Sequence, residues 1–399
     1  MRPPVIEAIK IENYRVLQNV EIKKLKPFTV LVGPNGSGKS TLFDVFAFLE
    51  TCFTRGVRSA WDRRGGAREL RSRGADGPVA IQISYREHPK EKLLTYRLEL
   101  SESKGRPMVS REQLRWTRGA AQGRPSHILD FHSGHGYVMD EETGAKAVED
   151  LDSPDTLAVN ALGQFRSHPR VMALRRFISG WYLSYLSVAE ERKSPAAGPQ
   201  ERLSQSGDNI SNVLQYLKEN HPSRLATVIE ALTETVPTLE SIGYESSPDG
   251  RLILFIKDAP FEKPVLASNA SDGTLKLLSY LTLLYDPDPA PFIGIEEPEN
   301  HLYPTVLPGL AQQCRMSSGK SQVVVTTHSH EFINSCKVDE VVALYRDESG
   351  YTRVIRPNEL PTIVDMMDNG AQLGNLWQEG YFDSLPEPRT SVNDPGAEE

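Results

Sequence analysis

The run Gly33-Pro34-Asn35-Gly36-Ser37-Gly38-Lys39-Ser40-Thr41 fits the pattern G-x-x-x-x-G-K-[ST] in full. Residues of these types at this spacing can hold a polyphosphate. The glycines let the backbone curl until several N–H groups point inward. A helix that starts there adds the partial positive charge of its N-terminus. Lys39 can bring a point charge to the β- and γ-phosphates, Ser40 a hydroxyl ligand for Mg²⁺, and Thr41 support on the α-phosphate side. The flanks agree. Residues 28–32 (FTVLV) read as a fully buried strand. From Lys39 to about Phe53, Leu42, Val45, Phe46 and Leu49 share one helical face. The ligand expected is ATP with Mg²⁺.

Two further segments carry matching chemistry. In 291–304 (PFIGIEEPENHLYP) an apolar strand ends in Glu296 and Glu297. Phosphoryl transfer is mostly positioning and charge compensation, so one carboxylate can hold the metal through water while the next orients the attacking water. Glu296 is assigned to the metal and Glu297 to the water. In 323–329 (VVVTTHS) a β-branched strand delivers His328, and only one helix separates it from the acidic strand. That brings His328 to the same sheet edge, near a γ-phosphate. A fourth segment, Ala270-Ser271-Asp272-Gly273-Thr274, opens a helix. It can present a hydroxyl and N–H groups to an anion, or be an ordinary N-cap.

The elements needed to position these groups are legible. Strands are predicted over 5–12, 17–23, 79–86, 93–101 and 108–116, the last three as an antiparallel meander. A Gly/Arg-rich loop is expected over 55–78 and loops with short strands over 117–155. A helix is predicted over 156–180, a strand over 181–188 and an exposed linker over 192–207. Helices 209–219 and 222–235 and a strand over 251–257 follow. The second half then alternates: strand 262–268, helix 273–285, strand 291–296, helix 304–317, strand 321–327, helix 330–335, strand 339–345. Such alternation predicts an α/β fold with a mainly parallel sheet. Residues 383–399 read as a disordered acidic tail.

Composition bounds the rest. The chain has 399 residues, with 39% hydrophobic and 25% charged, enough for a sizeable core. Its net charge of −8 argues against a basic nucleic-acid binder as a whole. The three cysteines, Cys52, Cys314 and Cys336, have no metal-ligand or disulfide spacing, which suits a reducing cytoplasm. No stretch reads as a signal peptide or membrane span. One local exception is 55–73, where Arg55, Arg58, Arg63, Arg64, Arg68, Arg71 and Arg73 surround Trp61. Such a loop can contact phosphates and stack a base, or dock an acidic partner. Arg170, Arg175, Arg176, Arg192 and Lys193 form a weaker cluster.

Taken in order, these motifs resemble ABC-type ATPase heads, in the branch shared by SMC-type and RecF-type proteins and the overcoming-lysogenization-defect (OLD) family. Residues 11–17 (IENYRVL) with GPNGSGKST look like the entry of that branch, IEEPENHLYP like its Walker B and D-loop, SDGTLK like a divergent signature, and TTHS like its H-loop. The resemblance implies a head over 1–382, with a P-loop core (1–55 and 262–350), an antiparallel β layer (79–150) and a helical lobe with strands (156–260). It implies an ATPase working as a homodimer, in which Ser271 and Gly273 complete the partner's site, Arg15 contacts nucleotide, and a Q-loop glutamine reaches the metal. Gln164 is the candidate for that glutamine, although it reads equally as an exposed polar residue. Glu296 stands where the family has Asp, Tyr303 where many relatives have His, and Asp272 where transporters have Gly. After His328 the sequence has no Toprim-like acidic strands, so an effector nuclease is expected as a separate polypeptide. The implied function is a DNA-linked ATPase of antiphage defence or DNA repair. The alternatives are a nucleotide-gated dimerisation switch with slow hydrolysis and, against the signature and inserted lobe, a transporter's ATPase subunit.

Overall fold

A computed structural model describes residues 3–116 and 126–382. Strands β1 (Val5–Tyr14), β2 (Leu17–Lys23) and β3 (Phe28–Val32) lead to α1 (Lys39–Arg55) and the short helices α2 (Val57–Asp62) and α3 (Gly66–Leu70). Six strands follow: β4 (Val79–Arg86), β5 (Leu94–Ser103), β6 (Arg106–Trp116), β7 (Ser126–His132), β8 (His135–Met139) and β9 (Lys146–Asp150). Then come α4 (Ala158–Leu162), α5 (Pro169–Ser179), β10 (Tyr182–Ser184), α6 (Val188–Glu191), α7 (Ile210–Asn220) and α8 (Pro222–Thr235). Strands β11 (Leu239–Ser246), β12 (Leu252–Asp258) and β13 (Val265–Leu266) precede α9 (Asp272–Leu284), β14 (Phe292–Glu296), α10 (Leu307–Ser317), β15 (Gln322–Thr327) and α11 (His330–Asn334). The described chain closes with β16 (Val341–Arg346), β17 (Thr352–Ile355), α12 (Pro361–Asp368) and α13 (Leu373–Gln378).

These elements build an α/β fold. A six-stranded sheet runs β10-β14-β15-β3-β16-β17 and is parallel except for β17. An eight-stranded antiparallel sheet, β2-β1-β4-β5-β6-β7-β8-β9, lies across α1 from it. The apolar run of β3 is sorted by the pleat. Leu31 faces the core shared with α1, while Phe28, Val30 and Val32 face the core shared with α7 to α10. Phe292 and Val324 join the first core, and Ile293, Ile295, Val323 and Val325 the second. A strand buried on both faces carries no polar alternation, which is why these strands read as continuous apolar runs.

Several expectations need correction. Residues 55–78 are not a bare loop but contain α2 and α3, and Trp61 is core, with Arg64 stacked over Phe48. The helix expected over 156–180 is broken into α4 and α5, at Gly163 and before Pro169, as proline restricts the residue that precedes it. The strand expected over 262–268 shrinks to β13. It pairs with β12 in a separate three-stranded antiparallel sheet and does not join the P-loop sheet. The segment 117–155 supplies β7, β8 and β9 to the large sheet within its described part. The acidic tail expected over 383–399 lies outside the described residues.

Glu112 is wholly buried in the antiparallel layer and holds the start of α4 there. Its carboxylate accepts from Tyr96 Oη at 3.0 Å, from Val159 N–H at 3.2 Å and from Ala158 N–H. Burial outweighs these donors and pushes its pKa up to about 7. The folded state therefore retains a proton that the unfolded chain releases near 4.5. Stability is highest below that value and falls as pH rises toward 7, by up to about 3 kcal/mol. Chemical denaturation of the wild type and Glu112→Gln at pH 5 and pH 8 is expected to show a pH-dependent loss in the wild type. The variant, with nothing to titrate there, is expected to lose that component.

Candidate functional site

The parallel register brings the candidate groups to one edge. Val32, the last residue of β3, pairs with Thr327 of β15, and Glu296 at the end of β14 pairs with Thr326. The loop 33–38, the Glu296-Glu297 pair and His328 therefore leave the sheet side by side, at the C-terminal ends of adjacent strands. Ligands of open α/β sheets bind at such ends.

The loop geometry explains its glycines at two positions. Gly38 has φ 108°, and a Cβ there would come within 2.3 Å of Thr352 Oγ1, which donates to Ser37 C=O at 2.8 Å. A Cβ on Gly33 would come within 2.3 Å of Leu344 C=O. The side of the loop formed by Pro34, Asn35 and Gly36 is exposed, and Ser40 also faces solvent at the first turn of α1. Lys39 is buried and folds back to donate to Gly33 C=O at 2.7 Å and Pro34 C=O at 3.2 Å. Burial lowers its pKa, while Glu297, Glu299 and Glu296 oppose that shift. The lysine thus sits in the field of three carboxylates.

Glu297 occupies the left-handed region at φ 42°. For a non-glycine residue this costs of order 1–3 kcal/mol, and such strain clusters at functional sites. Its backbone N–H donates to Thr326 C=O at 2.9 Å. One carboxylate oxygen lies 3.5 Å from His328 Nδ1, and the other accepts from Asn300 Nδ2 at 3.3 Å. Glu299 was not singled out in the sequence, yet it organises this corner. One of its oxygens accepts from Thr327 Oγ1 at 2.9 Å and His328 N–H at 2.7 Å, and lies 3.1 Å from His328 Nδ1. The only sequence signal was a third carboxylate two residues past Glu297, which no periodicity distinguishes.

Among the described residues no cluster of His, Cys, Asp and Glu could hold a metal by itself. Ser40 and Glu296 carry oxygen donors of the kind Mg²⁺ takes, an ion that keeps phosphate oxygens and water in the rest of its shell. Gln164 does not sit at a strand end. It is exposed in the link between α4 and α5 and donates to Asn160 C=O, one turn back in α4. The strand beside Glu296 is β10, beyond which Tyr185 N–H donates to Gln205 C=O at 2.9 Å. Burial, with Asp44 and Glu296 nearby, pushes the Tyr185 phenol up to about 12. Gln205 is therefore the glutamine brought to that strand end, from a segment that reads as a linker. Arg15 is ion-paired with Asp44 of α1 at 2.9 Å, and Arg64 meets the same carboxylate at 2.7 Å. Asp44 lies one helical turn beyond Ser40, so Arg15 stays beside the loop's helix. Ser271 is the exposed N-cap of α9, accepting from Thr274 N–H at 3.1 Å, and Gly273 packs against His301 C=O.

The two arginine clusters fare differently. Burial of Trp61 removes the base-stacking aromatic, and Arg64 is committed to Asp44, but Arg55, Arg58, Arg63, Arg68 and Arg73 remain exposed. Three of the five residues of the second cluster have partners within the chain: Arg170 pairs with Glu141, Lys193 with Glu190 and Arg192 with Asp272.

Two sequence families match parts of the chain. Residues 5–122 match the family described as "AAA ATPase domain", and 171–334 match "AAA domain, putative AbiEii toxin, Type IV TA system". No curated protein matches the chain. Among solved structures, the chain is similar to an SMC head bound to the C-terminal winged-helix domain of ScpA. That match has 17% identity and a TM-score of 0.56, over 88% of this chain and 96% of that one. It is also similar to the Pyrococcus furiosus SMC head with an extended coiled coil, bound to the C-terminal domain of ScpA. There the identity is 15% and the TM-score 0.53, over 92% and 100% of the two chains. At these identities the likeness is one of fold. The chain thus matches AAA ATPase-domain families over parts of its length and has the fold of an SMC head. The family matches support nucleotide binding and hydrolysis in general.

Removing the Glu299 carboxylate strands Thr327 Oγ1 and His328 N–H. Glu299→Ala is expected to cost about 1–3 kcal/mol in chemical denaturation. Glu299→Gln, which keeps an acceptor, is expected to cost less than half of that.

Proposed function

We propose that this protein hydrolyses ATP to ADP and phosphate in composite sites formed between two copies of the chain, with 1–382 acting as one ATPase head. The observation that carries the reading is the convergence of the Gly33–Thr41 loop, Glu296, Glu297 and His328 at neighbouring ends of parallel strands. Lys39 would leave its backbone partners for the β- and γ-phosphates. Ser40 and Glu296 would hold Mg²⁺, which when bound offsets phosphate charge. Glu297 would orient the attacking water and His328 contact the γ-phosphate. Ser271 and Gly273 of one copy would close on the nucleotide held by the other, as the resemblance to ABC-type heads implies.

The finer reading is a DNA-linked ATPase that controls a separate effector such as a nuclease. Its support is the exposed arginine row of α2, α3 and their flanks on a chain of net charge −8. The biological setting, antiphage defence or DNA repair in the cytoplasm, rests on the resemblance alone. One observation favours the alternative of a slow, nucleotide-gated switch. Both Glu297 oxygens face side-chain partners, His328 and Asn300, so the group that would orient water is held in a preset arrangement.

Turnover per subunit is expected to rise with protein concentration, since each site needs a second copy. Lys39→Ala and Glu297→Gln are each expected to lower it at least a hundredfold in a phosphate-release assay. Activity that survives both changes would refute the site. If DNA is the regulator, double-stranded DNA raises turnover at low salt, and charge reversal of Arg63 and Arg68 abolishes the stimulation while leaving DNA-free turnover intact. Equal turnover with and without DNA would leave the arginine row as a surface for an acidic protein.

A further inference from the structure

The signature segment carries an acidic residue where an anion is meant to approach. Asp272 is the first residue of α9, between Ser271 and Gly273. An uncompensated carboxylate there would repel a partner's nucleotide. Two groups meet it, one on each oxygen. Arg192 Nη2 pairs with Oδ1, and His301 Nδ1 lies 3.4 Å from Oδ2. The arginine does more than pair. Its Nη2 also donates to Ala270 C=O at 2.8 Å, and its Nη1 donates to Ser268 C=O. One guanidinium therefore ties down three points of the segment 268–272 from about 80 residues earlier in the chain.

Arg192 follows α6, which comes directly after the strand end that flanks Glu296. The same short connection is fastened to α9 a second time, by Lys276 Nζ donating to Leu186 C=O at 2.8 Å. The segment that leaves one sheet edge is thus the segment that holds the signature.

We propose that Arg192 is a positioning residue for the composite site. It neutralises Asp272 and fixes the 268–272 backbone, so that Ser271 and Gly273 can meet the nucleotide held by a second copy. This inference rests on the two-copy reading above. It assigns the Asp272 departure a built-in counter-charge, and it treats Arg192 as part of the interface rather than of a general basic surface.

The test is nucleotide-driven self-association of the full chain in a Glu297→Gln background with ATP and Mg²⁺, followed by sedimentation velocity. Adding Arg192→Ala is expected to weaken association at least tenfold. Binding of a fluorescent ATP analogue to the single subunit and the thermal midpoint should stay near their parent values. Adding Asp272→Asn to Arg192→Ala is expected to recover about threefold of the lost association and not all of it, because the charge to be cancelled is gone while the bonds to Ser268 C=O and Ala270 C=O are still missing. A residue that served only to hold the fold would not be rescued this way. Unchanged association in Arg192→Ala, or a loss that Asp272→Asn does not recover in part, overturns the proposal. If the Glu297→Gln parent does not associate with ATP at all, the two-copy reading itself fails and this inference falls with it.

Discussion

The chemistry of this molecule depends on β3, β14 and β15 lying parallel, in register and buried on both faces. Parallel strands present their C-terminal ends on one side, and burial fixes the register, because a one-residue slip would exchange the two cores. Leu31, Phe292 and Val324 can only face α1 if Val30, Ile293, Ile295 and Val325 face the helices opposite. Once that sorting is made, Val32, Glu296 and Thr327 must end together. No bond between the functional side chains is needed to gather them.

What gathering alone does not supply is orientation, and here the polar contacts matter. Glu297 is held in a left-handed conformation and its N–H is bonded to Thr326, so its side chain leaves the strand in a set direction. Glu299 then fixes the next strand end by receiving both Thr327 Oγ1 and His328 N–H. One turn of chain thus orients groups on two strands. Lys39 experiences the result as a concentration of negative charge, to which the two carbonyl oxygens it donates to add and which its own burial opposes. A polyphosphate would offer the lysine stronger partners than carbonyls, while its own charge would be met by the loop N–H groups and the metal.

This division explains what could be read in advance. The Gly33–Thr41 loop, the buried strands and the carboxylates at a strand end were legible, because local pattern determines them: glycine spacing, apolar runs and the residues that close them. The α/β class followed from the same patterns. The strand over 262–268 was misplaced because its alternation says nothing about which sheet it joins, and two residues of pairing with β12 decided the matter. Trp61 looked like a stacking aromatic because exposure is not written in a run of arginines; its position on α2 turns it into the core. Glu299, Gln205 and Arg192 were missed or undervalued because their roles come from partners distant in sequence.

The same contrast bears on why the proposed site would need a second copy. Within one chain, the helix that begins at Ser271 is covered along its length by the core, yet Ser271 itself is exposed and caps only its own helix. The segment after Glu297 touches it through His301, which lies against Gly273 and Asp272. Three hydrogen bonds from Arg192 hold the 268–272 backbone, and the bond from Lys276 to Leu186 fastens the connection that carries that arginine. Ordering a surface loop so firmly costs conformational entropy. The expenditure makes physical sense if that surface must arrive already shaped at a second copy's phosphates, where pre-ordering is recovered as tighter association.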